Sequence, residues 1–273
     1  MTIEAKRERL GKILRSYGKA AVAFSGGVDS SFLCAAAREE LGAGALAVTI
    51  VSPMLPRSEL ADARKVAALI GIRHVLVEAA QIEEAVASNP RDRCYHCKRR
   101  EFGSIADAAR ELGIEIVLDG TNVDDEDDYR PGMRAIAELG VASPLREAGL
   151  TKEDIRELSR RIGLPTSDKP AFACLASRIP YGERIDAAKL DRVERAEEYL
   201  RSLGFRQFRV RSHGDLARIE VDPAERPKLF SEERLDDMAA AFESFGFLYS
   251  SVDLAGYRRG NLNKADIGKG AEP

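Results

Sequence analysis

Ala20-Ala-Val-Ala-Phe-Ser25-Gly-Gly-Val-Asp-Ser30-Ser31 runs from an apolar segment straight into two glycines, then into an acidic and a hydroxyl residue at the start of a helical pattern. Residues 20–24 read as a strand and 29–41 as a helix, with the glycines at the junction. At such a junction Gly26 and Gly27 let backbone N–H groups close on an anion with no side chain in the way, and the helix N-terminus adds partial positive charge. Ser25 and Ser30 add hydroxyl donors, and Asp29 can help hold a magnesium ion. No Gly-Lys-Ser/Thr follows, so the lysine that a Walker-type loop places on the outer phosphates is missing. The stretch therefore predicts a pyrophosphate cradle, with ATP and Mg2+ as its ligands; a plain glycine turn is the competing reading.

Outward from this loop, apolar runs alternate with amphipathic segments: strand 45–51 and helix 58–70, strand 73–77 and helical segments reaching 112, then strand 114–118. Continuous apolar runs are the mark of parallel strands covered on both faces. The fold class expected is α/β, a doubly wound parallel sheet with a second, smaller α/β domain, and ligands gather beyond the carboxyl ends of such strands. Strand 114–118 ends in Asp119-Gly120, where Asp119 is placed to orient ribose or metal and Gly120 to permit close approach; a strand-ending turn is the alternative. A helix from Thr151, its N-cap, to Gly163, its stop, closes a first domain spanning 1–168. Residues 169–184 form a Pro- and Ser-bearing connector carrying Cys174, residues 185–260 the small domain, and 261–273 a frayed tail without apolar periodicity.

The 273 residues are 44% hydrophobic and 32% charged, a globular composition, with a formal net charge of -3. That balance gives no whole-protein field for polyanions, so no nucleic-acid partner is expected. The charged N-terminus lacks the apolar run of a signal peptide and no stretch is long enough to span a membrane, which points to the cytoplasm. The amphipathic segment 1–18 is the kind of extension that makes subunit contacts, and a homo-oligomer is expected.

Four cysteines are too few for a disulfide framework in a chain of this length. Cys94-Tyr-His-Cys97 precedes a helix and Cys174 lies in the connector. Three thiolates can hold three corners of a 4Fe-4S cluster and leave one iron open; a persulfide or disulfide relay, a zinc site and inert thiols are the alternatives. Cys34, among Phe32, Leu33 and Ala35, reads as core.

Ser25 to Ser30 is similar to the PP-loop of the family that includes GMP synthetase, NAD synthetase, asparagine synthetase and tRNA-thiolating enzymes. That resemblance implies cleavage of ATP between the α and β phosphates, with AMP placed on an oxygen and pyrophosphate held in the loop. Asp128-Tyr-Arg130-Pro-Gly132, Cys174-Leu-Ala-Ser-Arg178-Ile-Pro-Tyr-Gly182, Tyr199 to Phe205 and Arg209-Val-Arg211 resemble a narrower branch. They look like the LarE family, ATP-dependent sulfur transferases that build the nickel-pincer nucleotide cofactor of lactate racemase. Over about residues 20–260 this likeness implies adenylation of a carboxylate on a pyridinium dicarboxylate mononucleotide, then replacement of oxygen by sulfur.

Within that resemblance Cys94, Cys97 and Cys174 match the branch that uses a 4Fe-4S cluster and external sulfide or another sulfur donor. The single-cysteine form instead gives up the sulfur of its connector cysteine. Arg209 and Arg211, alternating on a strand, are assigned with Glu197 to the substrate phosphate. Arg178 is assigned to a substrate carboxylate or the adenylate, and Asp128 and Arg130 to the edge of the site. Adenine recognition by backbone at the end of the second strand leaves no side-chain signature. The rival expectation is a tRNA thiolase that shares the PP-loop and the three cysteines.

Overall fold

A computed structural model describes residues 1–125, 131–170 and 173–258. In chain order the elements are α1 (Ile3–Tyr17), β1 (Ala20–Ala23), α2 (Val28–Leu41), β2 (Ala45–Val51), α3 (Arg57–Ile70), β3 (Arg73–Glu78), α4 (Glu84–Ala87), α5 (Arg93–Arg110) and β4 (Val117–Leu118). There follow α6 (Pro131–Glu138), α7 (Pro144–Glu147), α8 (Lys152–Arg161), α9 (Ala187–Ser202), β5 (Phe208–His213), β6 (Leu216–Val221), α10 (Glu232–Ser244) and β7 (Tyr249–Val252). They form two compact units, one of Met1–Ile82 with Asp92–Phe172, the other of Glu83–Arg91 with Ala173–Pro273. No helix among the described residues is long and apolar enough to cross a membrane.

The first unit is built on a four-stranded sheet in the order β3-β2-β1-β4. Every pairing is parallel, with Ala20 opposite Ala45, Leu46 opposite Arg73 and Val22 opposite Leu118. Alternate residues serve opposite cores. Ala20, Val22, Ala45 and Ala47 join Leu10, Leu14, Phe32, Leu33 and Ile155, whereas Ala21, Leu46 and Val48 join Phe102, Ile105 and Ile136. The apolar runs are continuous because both faces of each strand are covered. The alanines of β1 and β2 keep the helices close, and Cys34 is part of this core, fully buried.

The order places the chain's first strand in the interior: β2 and β3 are laid down on one side of β1, and β4 on the other. The loops after β1 and β4 therefore flank the point where the winding reverses. Only Val117–Leu118 of the run 114–118 pairs as a strand, with Ile116 contributing a carbonyl to the Ala21 N–H. α1 packs Leu10 and Leu14 into the core shared with α2.

In the second unit β5 and β6 make an antiparallel hairpin, His213 opposite Leu216, and β7 adds parallel to β6. Gly214 takes φ 58° in the two-residue turn, a backbone angle such a tight hairpin requires. Pro223–Leu229 is a 3-10 turn containing Pro227, and α10 starts only after the Ser231 cap. Proline has no N–H to continue the ladder. The excursion 83–91 is fastened by Asn89, whose Nδ2 donates to the carbonyls of Ile179, Pro180 (2.7 Å) and Glu183 (3.0 Å).

Candidate active site

The loop between β1 and α2 is closed by its own hydroxyls. Ser25 N–H donates to Ser30 Oγ at 3.3 Å, the two hydroxyls lie 3.1 Å apart, and Gly27 N–H donates to Ser25 Oγ at 3.4 Å. Gly26 has φ 72°, and a Cβ there would come within 3.1 Å of Ala63 Cβ on α3, so only glycine fits this turn without strain. Both Gly26 and Gly27 precede the first turn of α2, whose free N–H groups face the loop. Ser25, Gly26, Gly27, Asp29 and Ser30 are thus brought together in one turn.

Across the switch point, the loop after β4 presses on the same turn. A Cβ on Gly120 would lie 3.1 Å from Ser30 N and 3.3 Å from Asp29 Cβ. The close approach that this glycine allows is to α2 itself. Asp119 is buried and folded onto its own turn, accepting from Thr121 Oγ1 and, at 3.4 Å, from Thr121 N–H. Asn122, which no motif marks, donates Nδ2 to Asp29 Oδ1 at 3.4 Å.

Lys152, the first residue of α8, forms an ion pair with Asp29 Oδ2. The sequence signalled α8 through Thr151, and the structure completes that cap as a reciprocal box with Asp154; the lysine just beyond it carried no signal of its own. Burial pushes the Asp29 carboxyl up, Lys152 pulls it down by charge and hydrogen bond, and Asp125 adds to the rise; the result lies above the ordinary aspartate range. An oxygen donor set of Asp29, Ser25 and Ser30 suits a hard magnesium ion.

The thiols divide between the units. Cys94 and Cys97 lie one helical turn apart at the start of α5 in the first unit, Cys94 exposed and Cys97 donating to Glu101 Oε1 at 3.3 Å. A Cβ on Gly132 would come within 3.0 Å of Lys98 Cγ and 3.5 Å of the Cys94 carbonyl, so glycine lets α6 lie against this turn. Asp128 and Arg130 lie outside the described residues. Cys174, exposed, belongs to the second unit. Among the described residues no group of three His, Cys, Asp or Glu side chains is arranged to hold a metal ion. The three thiols are chemically suited to iron.

In the second unit Arg178 and Arg211, two of the arginines assigned from sequence, are drawn into buried ion pairs. Arg178 is fully buried; Nε and Nη2 meet the two oxygens of Glu197 at 2.9 Å each. Its Nη1 donates to the carbonyls of Ala173 and Cys174 and to Ser177 Oγ, which itself donates to the Cys174 carbonyl at 2.8 Å. Arg178 thus fixes the backbone on which Cys174 stands. Arg211 pairs with Glu220 at 3.0 Å and donates to the Ser177 carbonyl, and Arg218 meets the other Glu220 oxygen. Arg209 lies 5.0 Å from the Tyr257 ring centre. Glu197 also accepts from Val210 N–H. Burial raises its carboxyl, but the charges of Arg178 and Arg209 and its hydrogen bonds outweigh that and hold it below the ordinary range. Glu197, Arg178, Arg209 and Arg211 form one cation-rich cluster, in which Glu220 was unforeseen.

A family model described as asparagine synthase matches residues 8–122, the stretch holding the cradle and its opposing loop. The chain is 44% identical to an uncharacterized protein of Synechocystis, over 96% of this chain and 98% of that one. It is 34% identical to the pyridinium-3,5-bisthiocarboxylic acid mononucleotide synthase of Lactiplantibacillus plantarum, over 96% of this chain and 95% of the relative. A tRNA-specific 2-thiouridylase of Pelobacter propionicus is 31% identical over 55% of this chain and 52% of its own length.

Proposed function

The chain belongs to the family of the pyridinium-3,5-bisthiocarboxylic acid mononucleotide synthase, and on that premise we propose that it is an ATP-dependent sulfur transferase acting on a pyridinium dicarboxylate mononucleotide. A substrate carboxylate oxygen attacks the α-phosphorus of ATP, the bond to the bridging β-phosphate oxygen breaks, and pyrophosphate leaves into the cradle. A sulfur nucleophile then attacks the acyl carbon and AMP departs, leaving a thiocarboxylate. The observation that carries this reading is the Ser25–Ser30 cradle at the winding reversal of a chain that aligns with the synthase end to end.

Ser25, Gly26, Gly27 and Ser30 receive the pyrophosphate, Asp29 holds the magnesium ion, and Asp119 and Gly120 border the nucleotide. Arg209, Arg211 and Glu197 form the substrate-phosphate site, and Asp128 and Arg130 are assigned separately to the edge of the active site. Arg178 acts by orienting Cys174, a role supported by its hydrogen bonds to the Ala173 and Cys174 carbonyls. On donor chemistry alone we assign Cys94, Cys97 and Cys174 to a 4Fe-4S cluster fed by external sulfide. Held by these thiolates, such a cluster would supply a coordination position for hydrosulfide. The enzyme works in the cytoplasm, where thiols stay reduced, as a homo-oligomer.

The thiouridylase relationship sustains a second reading, thiolation of tRNA, but it covers only about half of either chain. The test is to supply the purified protein, anaerobically and with sulfide, with ATP and either the mononucleotide or tRNA. Pyrophosphate release and thiocarboxylate formation on the mononucleotide are expected. Thiolated tRNA, with RNA binding that weakens steeply with salt, would replace this reading by the second one.

A further inference from the structure

The cradle lacks a lysine of its own, yet an ammonium stands at its rim. Lys169 Nζ lies 3.4 Å from the Gly26 carbonyl oxygen, 2.8 Å from Glu59 Oε2 and 3.0 Å from Asp62 Oδ2, with its side chain 16% exposed. Its backbone is fixed by the Arg156 guanidinium, which donates to the carbonyls of Ser167 and Lys169. Glu59, Asp62 and Ala63 belong to the part of α3 that packs on Gly26. Two carboxylates therefore flank a loop whose geometry suits a polyanion.

From this we infer that Lys169 is a ligand of the pyrophosphate group and supplies, from outside the loop, the cation that the loop's sequence omits. The inference rests on the proposed ATP chemistry. Backbone N–H groups and a helix terminus offer only partial charges, and a pyrophosphate oxygen gains more from a full one. Of the three contacts, the long one to the Gly26 carbonyl is the one an entering phosphate oxygen displaces. The two carboxylates hold the ammonium in place until then, and a compact ammonium turns between such partners more readily than a planar guanidinium.

The experiment is calorimetric titration of the full chain with magnesium pyrophosphate. Lys169→Met should weaken binding about tenfold or more, the loss expected for one charge-assisted hydrogen bond, and Lys169→Arg should recover part of it. Asp62→Asn removes a competing carboxylate and should leave binding unchanged or tighter. If Lys169 only braces α3, Lys169→Met and Asp62→Asn will weaken binding alike, and the inference falls. It falls also if wild type binds and Lys169→Met binds equally well. Wild-type protein that binds neither pyrophosphate nor ATP would overturn the cradle reading and this inference together. Should Lys169→Met fail to fold, Lys169→Arg weaker than wild type together with Asp62→Asn unchanged or tighter keeps the inference, and Asp62→Asn weaker than wild type, or Lys169→Arg equal to it, overturns it.

Discussion

Asp29 is a carboxylate that burial disfavours and Lys152 sustains. A carboxyl whose folded pKa exceeds its unfolded one lends stability below the unfolded value and loses it as pH rises through the folded value. At neutral pH the charged form is thus a cost of folding. Asp29→Asn is expected to keep or raise the unfolding midpoint there while abolishing pyrophosphate release, and the advantage of the variant should vanish as pH falls toward the ordinary aspartate range. Glu197 has the opposite sign: its stabilisation is present above the ordinary glutamate range and fades as pH falls through its lowered folded value. Glu197→Ala leaves the Arg178 guanidinium buried without its carboxylate and should cost about 3–5 kcal/mol in denaturant unfolding. The same change should alter the rate at which Cys174 is alkylated, since Arg178 holds the Cys174 carbonyl; an unchanged rate would remove Arg178 from any positioning role. Ser25 to Ser30 was legible because the loop is contiguous. The Arg178–Glu197 pair was legible as two residues but not as a pair, because nothing local links a connector arginine to a carboxylate 19 positions on.

The elements that place these residues were readable where burial imposes a period. β1 and β2 stand out as apolar runs because alternate residues enter different cores, and α8 because Thr151 and Asp154 cap it reciprocally. That cap bears on chemistry, since Lys152 follows it directly and its N–H donates to Asp124 Oδ2 at 2.7 Å. Thr151→Ala should cost about 1 kcal/mol, the usual worth of a helix cap, and weaken ATP binding by loosening the lysine that Asp29 faces; equal ATP affinity would detach α8 from the site. Gly120→Ala tests the contact between the β4 loop and α2. The added methyl meets Ser30 N and Asp29 Cβ, so ATP affinity should fall while the second unit unfolds as before. Less readable were the short elements. The two-residue β4 has too little length for a period. The excursion 83–91 is held by one asparagine amide on three carbonyls, a tertiary arrangement without a sequence signature.

For the whole chain, the cysteines raise the question that neither unit answers alone. Cys94 and Cys97 share a helix, whereas Cys174 belongs to the other unit. The spacing Cys-X-X-Cys could be read from sequence because it is local; the partnership of a thiol 77 positions beyond Cys97 depends on how the whole protein is assembled. If all three thiolates hold a 4Fe-4S cluster, protein purified without oxygen should contain about four iron and four acid-labile sulfide per chain. Cys94→Ala, Cys97→Ala and Cys174→Ala should each lower both contents together. Cys34 provides the internal control: it is fully buried, its thiol pushed far up by that burial, and Cys34→Ala should retain the full content. Iron that survives Cys174→Ala undiminished would exclude Cys174 from the ligand set and free it for direct sulfur chemistry. Wild-type protein that stays iron-free after reconstitution with iron and sulfide would leave Cys174 as the sulfur source. A sacrificial Cys174 should then lose its sulfur at each turnover, a mass loss confined to the peptide that contains it, and stop at one transfer per chain, whereas a persulfide relay should keep the peptide mass and turn over repeatedly with a sulfur donor.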